Sequence, residues 1–391
     1  MKTHCPCCGD TRLHTFYSAQ QVPVHQNLLY DSLERARQAA RGDIALAVCG
    51  GCGFIFNQLF DPQLLDYSAQ YDNTQSHSPA FSQYVEDLAQ SLMRDFALRG
   101  RSIVEIGCGK GAFIRRLCEL GAAGGTGFDP AYEGPDTLFD GRLRYVRRFF
   151  APQRLEQAGD FYCSRHVIEH VPEPAAFLRD VRLAMGERAD TAVFLETPDV
   201  LWILRHVSFW DIFYEHCSLF SPGSLARLLA GCGFGLERSV RVFGDQYMWV
   251  VGRPAAPGQP GAGTAPVDTA EDVVKAAQGF AARAAERIDE MRQTLAALEQ
   301  AGRRMVVWGA GAKGVTFLNA LGLQTSAIAT VIDVNPRKQG MFIPGTGQQI
   351  AAPEALPALA PDVVIVMNPN YQHEIARQLS ALGLAPQMLV I

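Results

Sequence analysis

Between Arg101 and Pro130 an apolar strand, a glycine-rich turn, a helix and a second strand ending in aspartate follow one another, and few folds accommodate that order. Ser102-Ile103-Val104 leads into Glu105-Ile106-Gly107-Cys108-Gly109-Lys110-Gly111, a helix opens at Ala112-Phe113, and the next strand closes at Asp129. Glycines let the backbone turn sharply and approach a ligand, leaving amides at a helix N-terminus to contact it. A carboxylate about twenty residues beyond the turn is spaced to accept the hydroxyls of a ribose. A dinucleotide turn would read G-x-G-x-x-G. This one is E-x-G-x-G-x-G, with an acid before the first glycine.

The alternation continues on both sides of this unit. Phe81, Tyr84, Val85, Leu88, Leu92 and Phe96 recur at helical spacing before it. After it come strands at 144–149, 161–164 and 192–196 with a helix from Pro174, which predicts a parallel, doubly wound sheet, and 235–242 with 246–252 reads as a closing antiparallel hairpin. The stretch 253–268 is rich in Pro, Gly and Ala and reads as a linker. Beyond it, 269–299 predicts one long helix, and strands at 305–308, 328–333 and 362–367 repeat the β-α-β pattern. A chain of 391 residues suits several cores. The expected domains are a metal-binding one over 1–75, a central α/β domain over 76–252, the linker, and a second Rossmann-like α/β domain over 269–391.

A net charge of −5 without a Lys/Arg cluster argues against a nucleic-acid partner. The absence of an apolar leader and of eighteen consecutive apolar residues argues against a membrane, so a cytoplasmic protein is expected. In that compartment the ten cysteines read as ligands or core residues rather than disulfides. Cys5-x-x-Cys8-Gly and Cys49-x-x-Cys52-Gly form two knuckles forty residues apart, a set suited to one tetrahedral structural Zn²⁺, with Cys7 turned away. The first sixty residues carry little periodic pattern, so this region is expected to depend on the metal more than on an apolar core. The stretch 21–41 between the knuckles reads as partly helical and has no evident purpose.

The turn at Glu105 to Gly111 resembles motif I of class I S-adenosylmethionine-dependent methyltransferases. By that resemblance Glu105 would face the methionine amino group, Gly107 and Gly109 its backbone, and Asp129 the ribose. Phe149 and Phe150 are candidates to wall the adenine, though two aromatics at a strand end are core residues as often. Arg165 and His166 begin the loop after the fourth strand, which in such sheets borders the ligand crevice. The run His166-Val-Ile-Glu169-His170 also matches an inverted zinc-protease helix, but no third ligand is evident in the sequence. Farther on, aromatic density around Glu215-His216 would exclude water from an imidazole, the usual proton acceptor near neutral pH.

Knuckles, motif I, the Cys163 to His170 run, the Glu215-His216-Cys217-Ser218-Leu219-Phe220-Ser221 run and a terminal Gly309-Ala-Gly-Ala-Lys-Gly314 turn occur in one order. Together they resemble the bacterial sugar C-methyltransferases over nearly the whole chain. The resemblance implies carbon methylation beside the ketone of a nucleotide-linked 4-keto-6-deoxy sugar, with His216 as base and Glu215 beside it. The common Y-H-E-H pattern is replaced by Phe213-Tyr214-Glu215-His216, so an enolate-stabilising hydroxyl would have to come from Tyr214, Tyr67 or Tyr71. Asn368-Pro-Asn-Tyr371 departs from the family's Trp-Asn-Tyr. O- or N-methylation of another small metabolite is the alternative. A third reading is a zinc-stabilised module working through NAD, since Gly309 to Gly314 with Asp333 fits a dinucleotide fingerprint apart from Lys313.

Overall fold

The computed structural model describes residues 1–65, 74–255, 268–323 and 327–391. Three sheets share the chain. The first is antiparallel: β1 (Leu13–Pro23) pairs with β2 (Arg41–Cys49), and β2 with β3 (Ile55–Asn57). The second holds β4 (Ser102–Ile106), β5 (Gly124–Phe128), β6 (Thr137–Leu138), β7 (Leu143–Val146), β8 (Phe161–Arg165) and β9 (Ala192–Pro198). A short β10 (Ser218–Leu219) then returns to the first sheet and pairs with β3, and β11 (Phe234–Val242) and β12 (Tyr247–Pro254) rejoin the second.

The second sheet runs β11-β12-β9-β8-β4-β5-β7-β6, parallel from β9 to β7, with β12 inserted antiparallel beside β9. Two strands are reversed, β12 beside β9 and β6 beside β7, and the five between them form a doubly wound parallel core. Its middle strands are apolar on both faces, as helices on either side require. Four buried residues of β4 stand between β5 and β8. The third sheet is wholly parallel, in the order β15-β14-β13-β16-β17, from β13 (Met305–Trp308), β14 (Thr330–Ile332), β15 (Gln349–Ala351), β16 (Val363–Val366) and β17 (Gln387–Val390). In both parallel sheets the chain steps to one side of its first strand and later crosses to the other. The ligand crevice of such a sheet opens beyond the strand ends at that crossing, here after β4 and β8 and after β13 and β16.

Three expectations are corrected. The first sixty residues do have an apolar core: Ile44, Leu46 and Val48 on one face of β2 pack with Leu204, Tyr214, Phe280 and Phe317, while Ala47 and Cys49 on the other face pack with Phe54, Phe56 and Phe220. The strand is buried on both sides between two larger units, so its alternation is hidden in a continuous apolar run. The long helix over 269–299 is two helices, Ala270–Ala277 and Phe280–Gln300, broken where Gly279 takes a left-handed φ of 69°. The linker starts later than 253, because β12 continues through Pro254; residues 256–267 lie outside the described residues, as do Tyr67 and Tyr71.

The stretch 21–41 contains a single short helix, Leu33–Arg37, capped by Ser32, and it docks on the third sheet's domain. Phe342 N donates to Tyr30 O at 2.9 Å, and Gly345 N to Ala36 O at 2.8 Å. Among the described residues, no helix is long and apolar enough to cross a membrane.

Candidate active site

The two glycine turns are built alike. Gly109 N donates to Asp129 Oδ2 at 2.8 Å while Ala131 N donates to Oδ1 at 2.7 Å. In the third sheet Ala310 N donates to Asp333 Oδ2 at 2.8 Å and Asn335 N to Oδ1 at 2.8 Å. Each aspartate thus braces its own turn, and each oxygen keeps lone-pair capacity for a further donor. The first turn needs its glycine at 107, where φ is +75° and a Cβ would stand 2.2 Å from Val167 Cγ2. At Gly109 a Cβ would meet nothing within 4 Å, so that side of the turn faces open space.

Glu105 lies under this turn, 2 % exposed, accepting from Ile114 N at 3.1 Å. Burial pushes its carboxyl up to about 7, against the pull of Arg165. A buried carboxyl held near neutrality suits a cationic ligand, and the open turn suits a nucleoside, so these residues fit S-adenosylmethionine. The other residues expected around the cofactor are placed unequally. Phe150 packs edge-on against Phe128 with centroids 5.3 Å apart, whereas Phe149 is 67 % exposed. Arg165 is committed below the crevice: its Nε donates to Glu196 Oε2 at 2.5 Å, and its guanidinium lies 4.4 Å over the Phe113 ring. Tyr84 donates to the other Glu196 oxygen. His166 adopts a left-handed φ of 53°, which turns its ring against Tyr247 and brings Nδ1 to 3.3 Å from Glu169 Oε1.

A cavity of about 260 Å³ opens between the second and third sheets. His166, Glu169 and His170 follow β8 into it, and Phe213 and His216 enter from the segment before β10. Opposite them stand Gly309 to Gly314 after β13, Asp333 to Asn335 after β14, and Met367 and Asn368 after β16. The His216 ring lies 4.0 Å from that of Phe213 and 4.8 Å from that of His170. Its Nδ1 is buried without a hydrogen-bond partner among the described residues. Burial first, then His170, His166 and Lys313, hold its pKa far below the ordinary 6.5, so the imidazole is neutral near pH 7.

The neighbours of His216 turn away from the cavity, which corrects the expectation that all three residues reach the reacting centre. The Tyr214 hydroxyl accepts from Asp61 N at 2.8 Å, and its ring packs beneath β2 against Phe60. Glu215, fully buried, accepts from Gln26 N at 3.1 Å and lies 3.5 Å from His25 Nδ1. Trp202, Asp211 and Gln246 of the cavity carried no local signal, and they partner Lys313 and Asn368, which the sequence did single out. Lys313 Nζ binds Asp211 at 2.5 and 2.6 Å and stands 5.4 Å over Trp202, joining the third sheet's turn to the central domain. The Gln246 and Asn368 amides exchange two hydrogen bonds of 2.9 and 3.1 Å across the same boundary.

The four knuckle cysteines converge with their sulfurs within 4.8 Å of one another; Cys5 and Cys52 are 3.6 Å apart, as are Cys8 and Cys49. None is in a disulfide. Both knuckles repeat one turn, with Gly9 N donating to Cys5 O and Gly53 N to Cys49 O at 2.8 Å. This donor set fits a tetrahedral zinc ion. A second group also falls within 4.8 Å, Glu169, His170 and His216, so the third ligand-type residue that the His166 to His170 run lacks in sequence is supplied by the fold.

Two family models match the chain: a methyltransferase domain over residues 80–239 and a C-methyltransferase C-terminal domain over 268–389. Among curated proteins, C-methyltransferase NovU of Streptomyces niveus is 25 % identical over 390 residues, covering 95 % of this chain and 90 % of that one. Among solved structures, the 1,6-didemethyltoxoflavin N1-methyltransferase of Burkholderia thailandensis is 16 % identical over 45 % of this chain and 80 % of its own, with a TM-score of 0.36. The magnesium protoporphyrin IX methyltransferase of Synechocystis PCC 6803 is 16 % identical over 45 % and 84 %, with a TM-score of 0.34. The protein is an S-adenosylmethionine-dependent methyltransferase. More narrowly, it joins a methyltransferase domain to a C-methyltransferase C-terminal domain, and it is similar along 95 % of its length to a bacterial C-methyltransferase.

Proposed function

We propose that the chain methylates the carbon beside the ketone of a nucleotide-linked keto-deoxysugar, with His216 as general base. The observation that carries this reading is the His216 imidazole itself, neutral, half-buried and with a buried, unpartnered Nδ1, in the cavity between the central and C-terminal sheets. A carbon next to a ketone is too weak an acid to ionise unaided near pH 7, so a positioned base must be joined by donors aimed at the enolate oxygen. His216 takes the proton, the electron pair of the C–H bond becomes the new carbon–carbon bond to the methyl group, and the ketone is regained. S-adenosylmethionine supplies that methyl as an electrophile and leaves as S-adenosylhomocysteine. Glu105, the Gly107 to Gly109 turn and Asp129 hold the cofactor in this reading, with Phe150 at the adenine. In this reading His170, edge-on to His216 in the same cavity, donates to the enolate oxygen. The Cys5, Cys8, Cys49 and Cys52 site holds zinc as a structural ion, remote from the chemistry.

One observation favours transfer to oxygen or nitrogen instead: Phe213 brings no hydroxyl to the cavity, and that of Tyr214 is spent on Asp61. Turnover with methyl-¹³C-labelled cofactor separates the two readings. Coupling of the label to a sugar ring carbon supports C-methylation; a label bound through oxygen or nitrogen overturns it.

A further inference from the structure

A second set of ligand-type residues lies apart from the knuckles. Glu169, His170 and His216 each bring one nitrogen or oxygen within 4.8 Å of the others, and all three line the cavity. Glu169 is fully buried, and the hydroxyl of Thr197 on β9 donates to its Oε2 at 3.0 Å. Its Oε1 is buried with no hydrogen-bond partner among the described residues, His166 Nδ1 being 3.3 Å away but outside hydrogen-bond geometry. The buried His216 Nδ1 has no such partner among them either. A buried polar atom without a partner is costly, and two of them converge on one place.

The chain holds the three residues together before any ion arrives. Glu169 and His170 are neighbours in the 3₁₀ turn Ile168–His170, and Ser218 Oγ donates to Val171 O at 2.7 Å, tying the segment that carries His216 to the end of that turn. Thr197 stands behind the carboxylate as an outer partner does behind a ligating group. Lys313, across the cavity, is neutralised by Asp211, which leaves the Glu169 charge for an ion. Two imidazoles and a carboxylate form the donor set of an open zinc site, in which water completes the tetrahedron. Bonds of about 2.0–2.2 Å hold such ligand atoms about 3.4 Å apart, so the three would close by up to about 1.4 Å around the ion. Imidazole nitrogen favours Zn²⁺, Co²⁺ and Ni²⁺ over Mg²⁺ and Ca²⁺, which take oxygen.

We propose that Glu169, His170 and His216 form a second, exchangeable metal site for Zn²⁺, Co²⁺ or Ni²⁺, and that an ion bound there switches methyl transfer off. An imidazole has at most one unprotonated nitrogen, so His216 gives its lone pair to the ion or to a proton, never to both. The same ion takes His170 away from the enolate. The knuckles are a closed set of four thiolates, whereas this set has three ligands and faces the cavity, so a chelator removes its ion first. The metal site assumes nothing about the acceptor; its inhibitory effect rests on His216 as the base. The site also absorbs the motif-like run from His166 to His170, in which Glu169 and His170 ligate and His166 stands beside the carboxylate.

The test uses the full-length protein with its knuckle zinc in place, washed with a chelator and titrated with Co²⁺ under calorimetry and visible absorption. A second metal equivalent is expected, with d–d bands but without the thiolate charge-transfer absorption that exchange at the knuckles would give. Glu169→Gln and His170→Asn should each abolish it while the zinc content stays at one per chain. Thr197→Val, which leaves the ligands in place, should weaken it by roughly ten- to a hundredfold, the usual effect of losing an outer partner. Added Zn²⁺ should stop methyl transfer, a chelator should restore it, and the Thr197→Val protein should need correspondingly more zinc. Absence of a second equivalent, or one that survives both ligand substitutions, overturns the site. Turnover that rises with added metal overturns the inhibitory role. A second equivalent that needs Glu169 and His170 yet leaves methyl transfer at full rate supports the site and defeats His216 as the base instead.

Discussion

The ring of His216 meets that of His170 edge to face, with centroids 4.8 Å apart and planes at 87°. One comes from the loop after β8 and the other from the segment before β10, so the pair exists only once the central domain is assembled. Removing the base should therefore leave the rest of the site standing. His216→Asn is expected to lower kcat by roughly 10²- to 10⁴-fold, the usual contribution of a general base. Cofactor affinity, read by calorimetry with S-adenosylhomocysteine, should stay within about twofold, below half a kcal/mol.

The depressed pKa of His216 sets a pH dependence. Its neutral form persists below 6.5, so the acid limb of kcat/KM should fall below that value; a limb at or above 6.5 would contradict the burial argument. Stability shows the same sign. The unfolded chain takes up the proton near 6.5 and the folded one does not, so this share of stability is present above 6.5 and is lost as pH falls below it. Denaturation of His216→Asn should lack that share.

Glu105 behaves oppositely. Its carboxyl moves from 4.5 to about 7 on folding, so its contribution is full below 4.5 and is lost as pH rises through 7, a change of about 3 kcal/mol. A cationic amino group placed against it would expel the proton. S-adenosylhomocysteine binding at pH 6.5 should release up to one proton, seen as an enthalpy that varies with the buffer's ionisation heat. Glu105→Gln should remove the variation.

The knuckle geometry predicts one zinc per chain by elemental analysis. Cys52→Ser should lower that content and the unfolding temperature, whereas Cys7→Ser should leave the stoichiometry at one, because Cys7 stands outside the converging four.

Much of the fold was legible because its signals are local. Ser102–Ile106 and Met305–Trp308 are short apolar runs ended by glycine turns, and each reads as a strand of a parallel sheet without knowledge of any neighbour. The first sheet was less legible, since β2 is buried on both faces by segments far along the chain. Within the site, the residue types stood out but their directions did not. Phe213 to Cys217 is neither helix nor strand, so no period foretells that His216 faces the cavity while Tyr214 and Glu215 face β2 and Gln26. Lys338 and Asn27, 311 residues apart, meet only through the docking of the stretch 21–41 on the C-terminal domain.

The central claim is that His216 removes a proton from the carbon beside the acceptor's ketone. The most direct measurement is proton NMR of a nucleotide-linked 4-keto-6-deoxy sugar incubated with the protein and S-adenosylhomocysteine in D₂O, where exchange can occur without methyl transfer. The account predicts loss of the C3 proton signal with the wild-type protein and its retention with His216→Asn. Retention with wild-type protein that is active as a methyltransferase, or equal exchange in the variant, would contradict it.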